Sequence, residues 1–153
     1  MPLDQSFIGR EYPPSAPYEV GREKIREFAD AIKDDSPLHR DQEAAKAAGY
    51  PDVIAPPTFA VTLSMRAQDA LVEDPQLGLD YSRVVHGQQE FVHHRPIQAG
   101  DRLVTVVRVD DIKARAGNDF LTVRTEITTV DGEPVCTATS MLVARGTAEG
   151  ESA

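Results

Sequence analysis

From Arg22 to Lys33 the apolar residues Ile25, Phe28, Ala29 and Ile32 fall at i, i+3, i+4 and i+7. This spacing predicts a helix with one apolar stripe and a charged opposite face. The turn-forming run Asp34-Asp35-Ser36-Pro37 ends it, and a short second helix is expected over Asp41 to Ala48, stopped by Gly49. A loop through Tyr50-Pro51-Asp52 leads to Val53-Ile54-Ala55-Pro56-Pro57. A third helix is expected from Pro57 to Val72, carrying Phe59, Val61, Leu63, Met65, Ala67, Ala70 and Leu71. Its first half is apolar nearly all round, the pattern of a helix that is buried.

After this point the period changes from 3.6 to 2. Leu103, Thr105, Val107 and Val109 alternate with Val104, Val106 and Arg108, and Leu121, Val123, Thr125 and Ile127 alternate with Thr122, Arg124 and Glu126. Ala116-Gly117-Asn118 and Val130-Asp131-Gly132 supply turns between the runs, so consecutive strands are expected to be antiparallel hairpins. Helices early and strands late give an α+β class, with one long antiparallel sheet wrapped around one buried helix. Ahead of the first helix, Tyr12-Pro13-Pro14-Ser15-Ala16-Pro17 reads as a stiff, extended lead-in.

The 153 residues suffice for one domain with a sizeable core. It is expected over residues 1–145, with a flexible, frayed tail over residues 146–153. An apolar share of 41% and a charged share of 27% are ordinary for a folded chain. The net charge of -9 opposes nonspecific nucleic-acid binding, which needs clustered Lys and Arg. Between Arg83 and Arg115, however, the balance is +2 against -11 elsewhere. An anionic carrier would be steered toward this segment, although a normally solvated sheet surface has the same composition. No apolar run reaches the roughly 20 residues that span a bilayer, and Met1 to Arg10 lacks the form of a signal peptide, so a cytoplasmic location away from membranes is expected. The lone Cys136, between Val135 and Thr137, is expected to be a buried, inert thiol.

Candidate chemistry concentrates in Asp34-Asp35-Ser36-Pro37-Leu38-His39, where a carboxylate and an imidazole stand five positions apart on a tight connection. Converging on one water, such a pair can share general acid and general base duties at neutral pH. His86, His93 and His94 do not suggest a metal centre. No Cys, Asp or Glu joins them at ligand spacing, and the adjacent His93 and His94 are expected on opposite faces of a strand.

The Asp34 to His39 stretch resembles the Asp-x-Asn-Pro-x-His signature of the MaoC-like hydratases, with Asp34, Pro37, Leu38 and His39 matching and Ser36 in the place of Asn. Phe91 to Asp101, with Arg95-Pro96-Ile97-Gln98-Ala99-Gly100-Asp101 at its end, is similar to that family's strand and turn closing in Arg/Lys-Pro-x-x-x-Gly-Asp. The resemblance covers about Val20 to Arg145 and implies a hot-dog fold. It also implies an R-specific enoyl-thioester hydratase or 3-hydroxyacyl-thioester dehydratase acting on acyl-CoA or acyl-carrier-protein substrates, with Asp34 and His39 catalytic and no cofactor. Ser36 is expected to hold the turn by accepting a backbone N–H. Thr62 aligns with a Ser near the pair and either supports Asp34 or bonds back to its own helix.

In the resembling family a Gly N–H at the start of the central helix binds the thioester oxygen; ungapped alignment from His39 puts Pro57 there. Proline has no N–H, so either the donor shifts to Thr58 or this oxyanion hole is absent. Pro56-Pro57-Thr58-Phe59 also resembles the N-terminal half or partner subunit of fatty-acid dehydratases, where the domain shapes the acyl channel for an active partner. A non-catalytic acyl-binding subunit is therefore the alternative. A hot-dog thioesterase using Asp69 or Glu73 of the third helix is a further one. Pairing with a second copy or another MaoC-like chain is expected, because a sheet wrapped around one helix leaves an edge uncovered.

Overall fold

The computed structural model describes residues 2–148. The lead-in is extended as its prolines require. Tyr12 and Ser15 donate their N–H groups to the carbonyls of Val107 and Thr105, so the segment runs along a sheet edge. Strand β1 (Tyr18–Glu19) and helix α1 (Arg22–Ala31) come next, then helix α2 (Gln42–Ala47) and helix α3 (Ala60–Val72). The remaining strands are β2 (Val84–His93), β3 (Arg102–Arg115), β4 (Asn118–Thr129) and β5 (Pro134–Ala144). Among the described residues they form one antiparallel sheet in the order β1-β3-β4-β5-β2. The expected hairpins are β3-β4 and β4-β5, whereas β2 crosses over to pair with β5 and forms an edge. The β3-β4 turn is two residues long, Ala116 and Gly117, both at positive φ, the backbone that matches the strand twist of a tight hairpin.

Alternation places Leu103, Val107, Val109, Leu121, Val123 and Ile127 on the buried face of the sheet, where α3 lies against them. Phe59, Leu63 and Leu71 pack inward, and Phe28 of α1 meets Phe59 edge-on at 5.4 Å. The helix is not covered all round, however: Met65 is 47% exposed beside exposed Arg66. Helix α3 also begins three residues later than expected. Pro57 to Phe59 form a turn, because the Phe59 N–H bonds the Pro56 carbonyl and the Val61 N–H bonds that of Thr58.

Cys136 is buried on β5 and its thiol is pushed up to about 11 by burial, so it stays protonated near neutrality. Of the expected frayed tail, Gly146 and Ala148 donate their N–H groups to Asn118 and Gly117, and the Thr147 hydroxyl bonds the buried Asp119. Residues 149–153 of that tail lie outside the described residues. No helix among the described residues is long and apolar enough to cross a membrane.

Candidate functional site

Asp34 is positioned by the way α1 ends. Lys33 takes a left-handed φ of 59°, its N–H reaches the Asp30 carbonyl at 3.1 Å, and the Asp34 N–H folds back to the Ala29 carbonyl at 2.8 Å. This pair of bonds is a Schellman closure, built here on a residue with a side chain rather than on glycine. Asp34 Oδ1 accepts the Ser36 N–H at 3.1 Å, and Ser36 Oγ accepts the Leu38 N–H at 3.3 Å, which starts a single 3-10 turn over Pro37–His39. The Arg40 guanidinium spans the loop, donating to the Asp30 carboxylate and the Asp34 carbonyl. The Asp34 carboxyl is held below its ordinary value of 3.8, first by the Ser36 N–H and then by the nearby charges of His39 and Arg40, which together outweigh the opposing effect of burial.

The turn drives His39 inward until it is 5% exposed. Its Nδ1 lies 2.6 Å from the Ile54 carbonyl and its Nε2 lies 3.1 Å from Asp34 Oδ2. A carbonyl only accepts, so Nδ1 carries its hydrogen. Nε2 is then the ring nitrogen that faces the Asp34 carboxylate, at hydrogen-bond distance from it. Imidazole and carboxylate thus stand close enough to act on a proton at one point.

The carbonyl that orients His39 is itself fixed by the second sequence signature. The Ile54 N–H bonds the Leu38 carbonyl, while Ala55 and Val53 are tied to Ile97 and Ala99. The 97–99 loop is in turn held by Asp101, 8% exposed, which accepts two parallel bonds from the Arg95 guanidinium at 2.9 and 3.0 Å and a third from the Gln98 N–H. Gly100 makes the turn at a φ of 92°. Most basic residues of this part of the chain are paired: Arg95 also pairs with Glu133, Arg108 with Asp110 and Lys113 with Asp111.

His39 opens onto a cavity of about 520 Å³ lined by Ile54, Ala55, Pro57, Pro96 and Ile97, with His93, His94 and Arg95 on its wall. The alternation expected of His93 and His94 fails because β2 ends at His93, and the bend after it turns both toward the same cavity. Pro57 and Thr58 are exposed at the start of the central helix, with Pro57 on the cavity wall. No acceptor among the described residues takes the Thr58 N–H. Thr62 adopts the second of its two readings, its hydroxyl donating to the Phe59 carbonyl at 2.8 Å. Asp69 and Glu73 are exposed toward the other end of α3, and neither lines the cavity. Among the described residues there is no group of three or more His, Cys, Asp or Glu placed to hold a metal ion. The parts of the site that the sequence did not reveal are the Ile54 carbonyl, a backbone group without a sequence signal, and His93. The only signal for His93 was its place just before the Arg95-Pro96 turn.

Residues 6–138 match the profile of the FAS1-like, dehydratase domain region. The chain is 89% identical over 149 residues to a UPF0336 protein of Saccharopolyspora erythraea, covering 97% of this chain and 96% of that protein. Among solved structures it is similar to a MaoC-like dehydratase, with a TM-score of 0.85 and 38% identity over 92% of this chain, which spans only 42% of that longer chain. It is also similar to a chain of the HadBC (3R-hydroxyacyl-ACP dehydratase) complex from Mycobacterium tuberculosis, with a TM-score of 0.80 and 34% identity over 90% of this chain and 96% of that one. The curled sheet around α3 is thus a hot-dog fold, and the chain belongs to the FAS1-like dehydratase-region family of MaoC-like hot-dog dehydratases.

Proposed function

We propose that the chain is an R-specific hydro-lyase that adds water to a trans-2-enoyl thioester or removes it from a (3R)-hydroxyacyl thioester, carried on CoA or on an acyl-carrier protein. The observation that supports this reading above the others is the Asp34 and His39 pair, with Oδ2 and Nε2 3.1 Å apart and His39 facing an apolar cavity. In the hydration direction the pair takes a proton from water as its oxygen bonds to the β-carbon, and returns a proton to the α-carbon. Charge that develops on the thioester oxygen falls to the free N–H of Thr58, because Pro57 has none to offer. Ile54, Ala55 and Ile97 suit the acyl chain.

The test is hydration of a crotonyl thioester by the purified chain, monitored as loss of enoyl absorbance. Asp34→Asn and His39→Ala are each expected to lower the rate about 100-fold or more, the scale of a lost acid–base group. A wild-type rate equal to that of both variants would sink the reading.

Pro57 favours a second reading, in which the chain is an acyl-binding subunit that completes an active partner. Loss of one oxyanion donor costs on the order of 3 to 4 kcal/mol in an enzyme that depends on it. Activity that appears only with a second MaoC-like chain, and resists Asp34→Asn, would select this alternative. Both readings include pairing with a second hot-dog chain, identical or different. Among the described residues strand β2 is an edge with one side unpaired, and Val85 and Val92 on it are 42% and 49% exposed. Sedimentation at micromolar concentration is expected to show the mass of two chains, and a strict monomer would count against this part of the proposal.

A further inference from the structure

The structure assigns His93 a positioning role for the proposed reaction: its ring clamps the Pro57–Thr58 peptide and so aims and polarises the Thr58 N–H. This inference deepens the hydro-lyase reading and rests on it. His93 Nε2 lies 2.8 Å from the Pro57 carbonyl oxygen. That oxygen can only accept, so Nε2 is the donor. The carbonyl of Pro57 and the N–H of Thr58 belong to one planar peptide unit, and no peptide bond among the described residues is cis. In a trans unit the two groups point in opposite directions, so fixing the oxygen fixes the hydrogen. A hydrogen bond received at the carbonyl also strengthens the N–H of the same unit as a donor, because chained hydrogen bonds polarise one another.

Four further observations support the assignment. Pro56 and Pro57 carry no N–H, so Thr58 supplies the first one at this end of the helix, and it has no acceptor among the described residues. The Pro57 carbonyl is not used by the helix, since Val61 turns to the Thr58 carbonyl instead, so His93 is the partner that orients this peptide. The His93 ring is steadied by stacking on Phe91, two residues earlier on β2, at 6.1 Å and 30° between planes. His39, Pro57 and His93 all line the same cavity, so the clamp and the imidazole of the pair face the same space although they come from segments far apart in the sequence.

The test compares His93→Leu, which removes the donor, with His93→Gln, which restores an N–H at similar reach. Steady-state hydration of crotonyl-CoA is measured together with the Thr58 amide resonance in ¹⁵N-labelled protein. Removing the clamp is expected to lower kcat about 10-fold to 100-fold, the penalty of a misaimed group, with KM changed less than about 3-fold. The Thr58 amide proton is expected to move in His93→Leu, and His93→Gln is expected to recover most of both effects. Because the contact is at the surface, both variants should keep the urea midpoint of the wild type. An unmoved Thr58 resonance in His93→Leu, or an unchanged kcat, overturns the assignment. If the wild type itself hydrates nothing, the hydro-lyase reading and the catalytic purpose of the clamp are overturned. The Thr58 resonance would then report the clamp alone.

Discussion

Lys33 holds a conformation that its side chain disfavours. A left-handed φ of 59° sets Cβ against the adjoining carbonyl, at a cost of roughly 1 to 2 kcal/mol that glycine would not bear. The residue next to it is Asp34, so the strain sits where the chain turns from helix into the proposed proton-handling pair. Lys33→Gly is expected to raise stability by about 0.5 to 1 kcal/mol in urea unfolding, part of the relief being offset by the greater freedom of glycine in the unfolded chain. Hydration rates of the variant should stay within about 3-fold of wild type, since the Schellman bonds that place Asp34 are backbone bonds. At this scale the candidate chemistry was legible, because Asp34, Pro37, Leu38 and His39 are side chains with their own identities. The groups that aim them, the carbonyls of Ile54 and Pro57, are common to every residue type, and only the fold shows where they point.

Among the elements, those with a clean period were readable from the sequence and those without one were not. Helix α1 and strands β3 and β4 each bury one face, so their apolar residues recur at 3.6 or at 2. Strand β2 is an edge exposed over most of both faces and shows no alternation from Val84 to His93. It is also bulged near Gly87, where a Cβ would stand 3.0 Å from Met141. The start of α3 is not legible in the sequence, because two prolines suit a first helical turn, yet here the Pro57 carbonyl leaves the helix ladder for His93. The Arg95 to Asp101 turn was legible as a signature of fold, and its position adds a link to the site through residues 97–99 and 53–55. Asp101→Asn breaks the two-pronged pair and leaves Arg95 short of charge, which is expected to cost on the order of 3 kcal/mol in chemical denaturation. If the loop is the support of Ile54, the same variant lowers kcat as well; an unchanged kcat at reduced stability would limit the clip to the fold.

The whole molecule is stitched together by hydrogen bonds that titrate at both ends of the pH scale. Asp34, Asp52 and Asp74 are all held below 3.8, chiefly by the Ser36 N–H, the Arg22 guanidinium and the Tyr12 hydroxyl respectively. A carboxylate depressed in the folded state stabilises it above the unfolded value, and that contribution is lost as pH falls through the lower folded value. Tyr12 behaves oppositely. Burial, and its bond to Asp74 at 2.8 Å, push its hydroxyl from 10.0 up to about 12, so its contribution is present below 10 and fades as pH rises toward 12. The urea midpoint is therefore expected to hold level around neutrality, to fall below about pH 4, and to fall again above about pH 10. Replacing Tyr12 with Phe should flatten the alkaline fall, which a pH series of unfolding curves would show.

The Schellman closure of α1 makes the helix a ruler. The N–H of Asp34 is its last hydrogen bond, so the carboxylate is keyed to the number of residues in the helix as well as to its own identity. Each residue added to a helix rotates the chain downstream of it by about 100° and advances it by about 1.5 Å. The charged outer face from Arg22 to Ala31 can therefore drift in sequence with little effect on His39, whereas a single insertion or deletion there swings Asp34 out of register with the imidazole. For this chain, α1 should tolerate changes in spelling and resist changes in length.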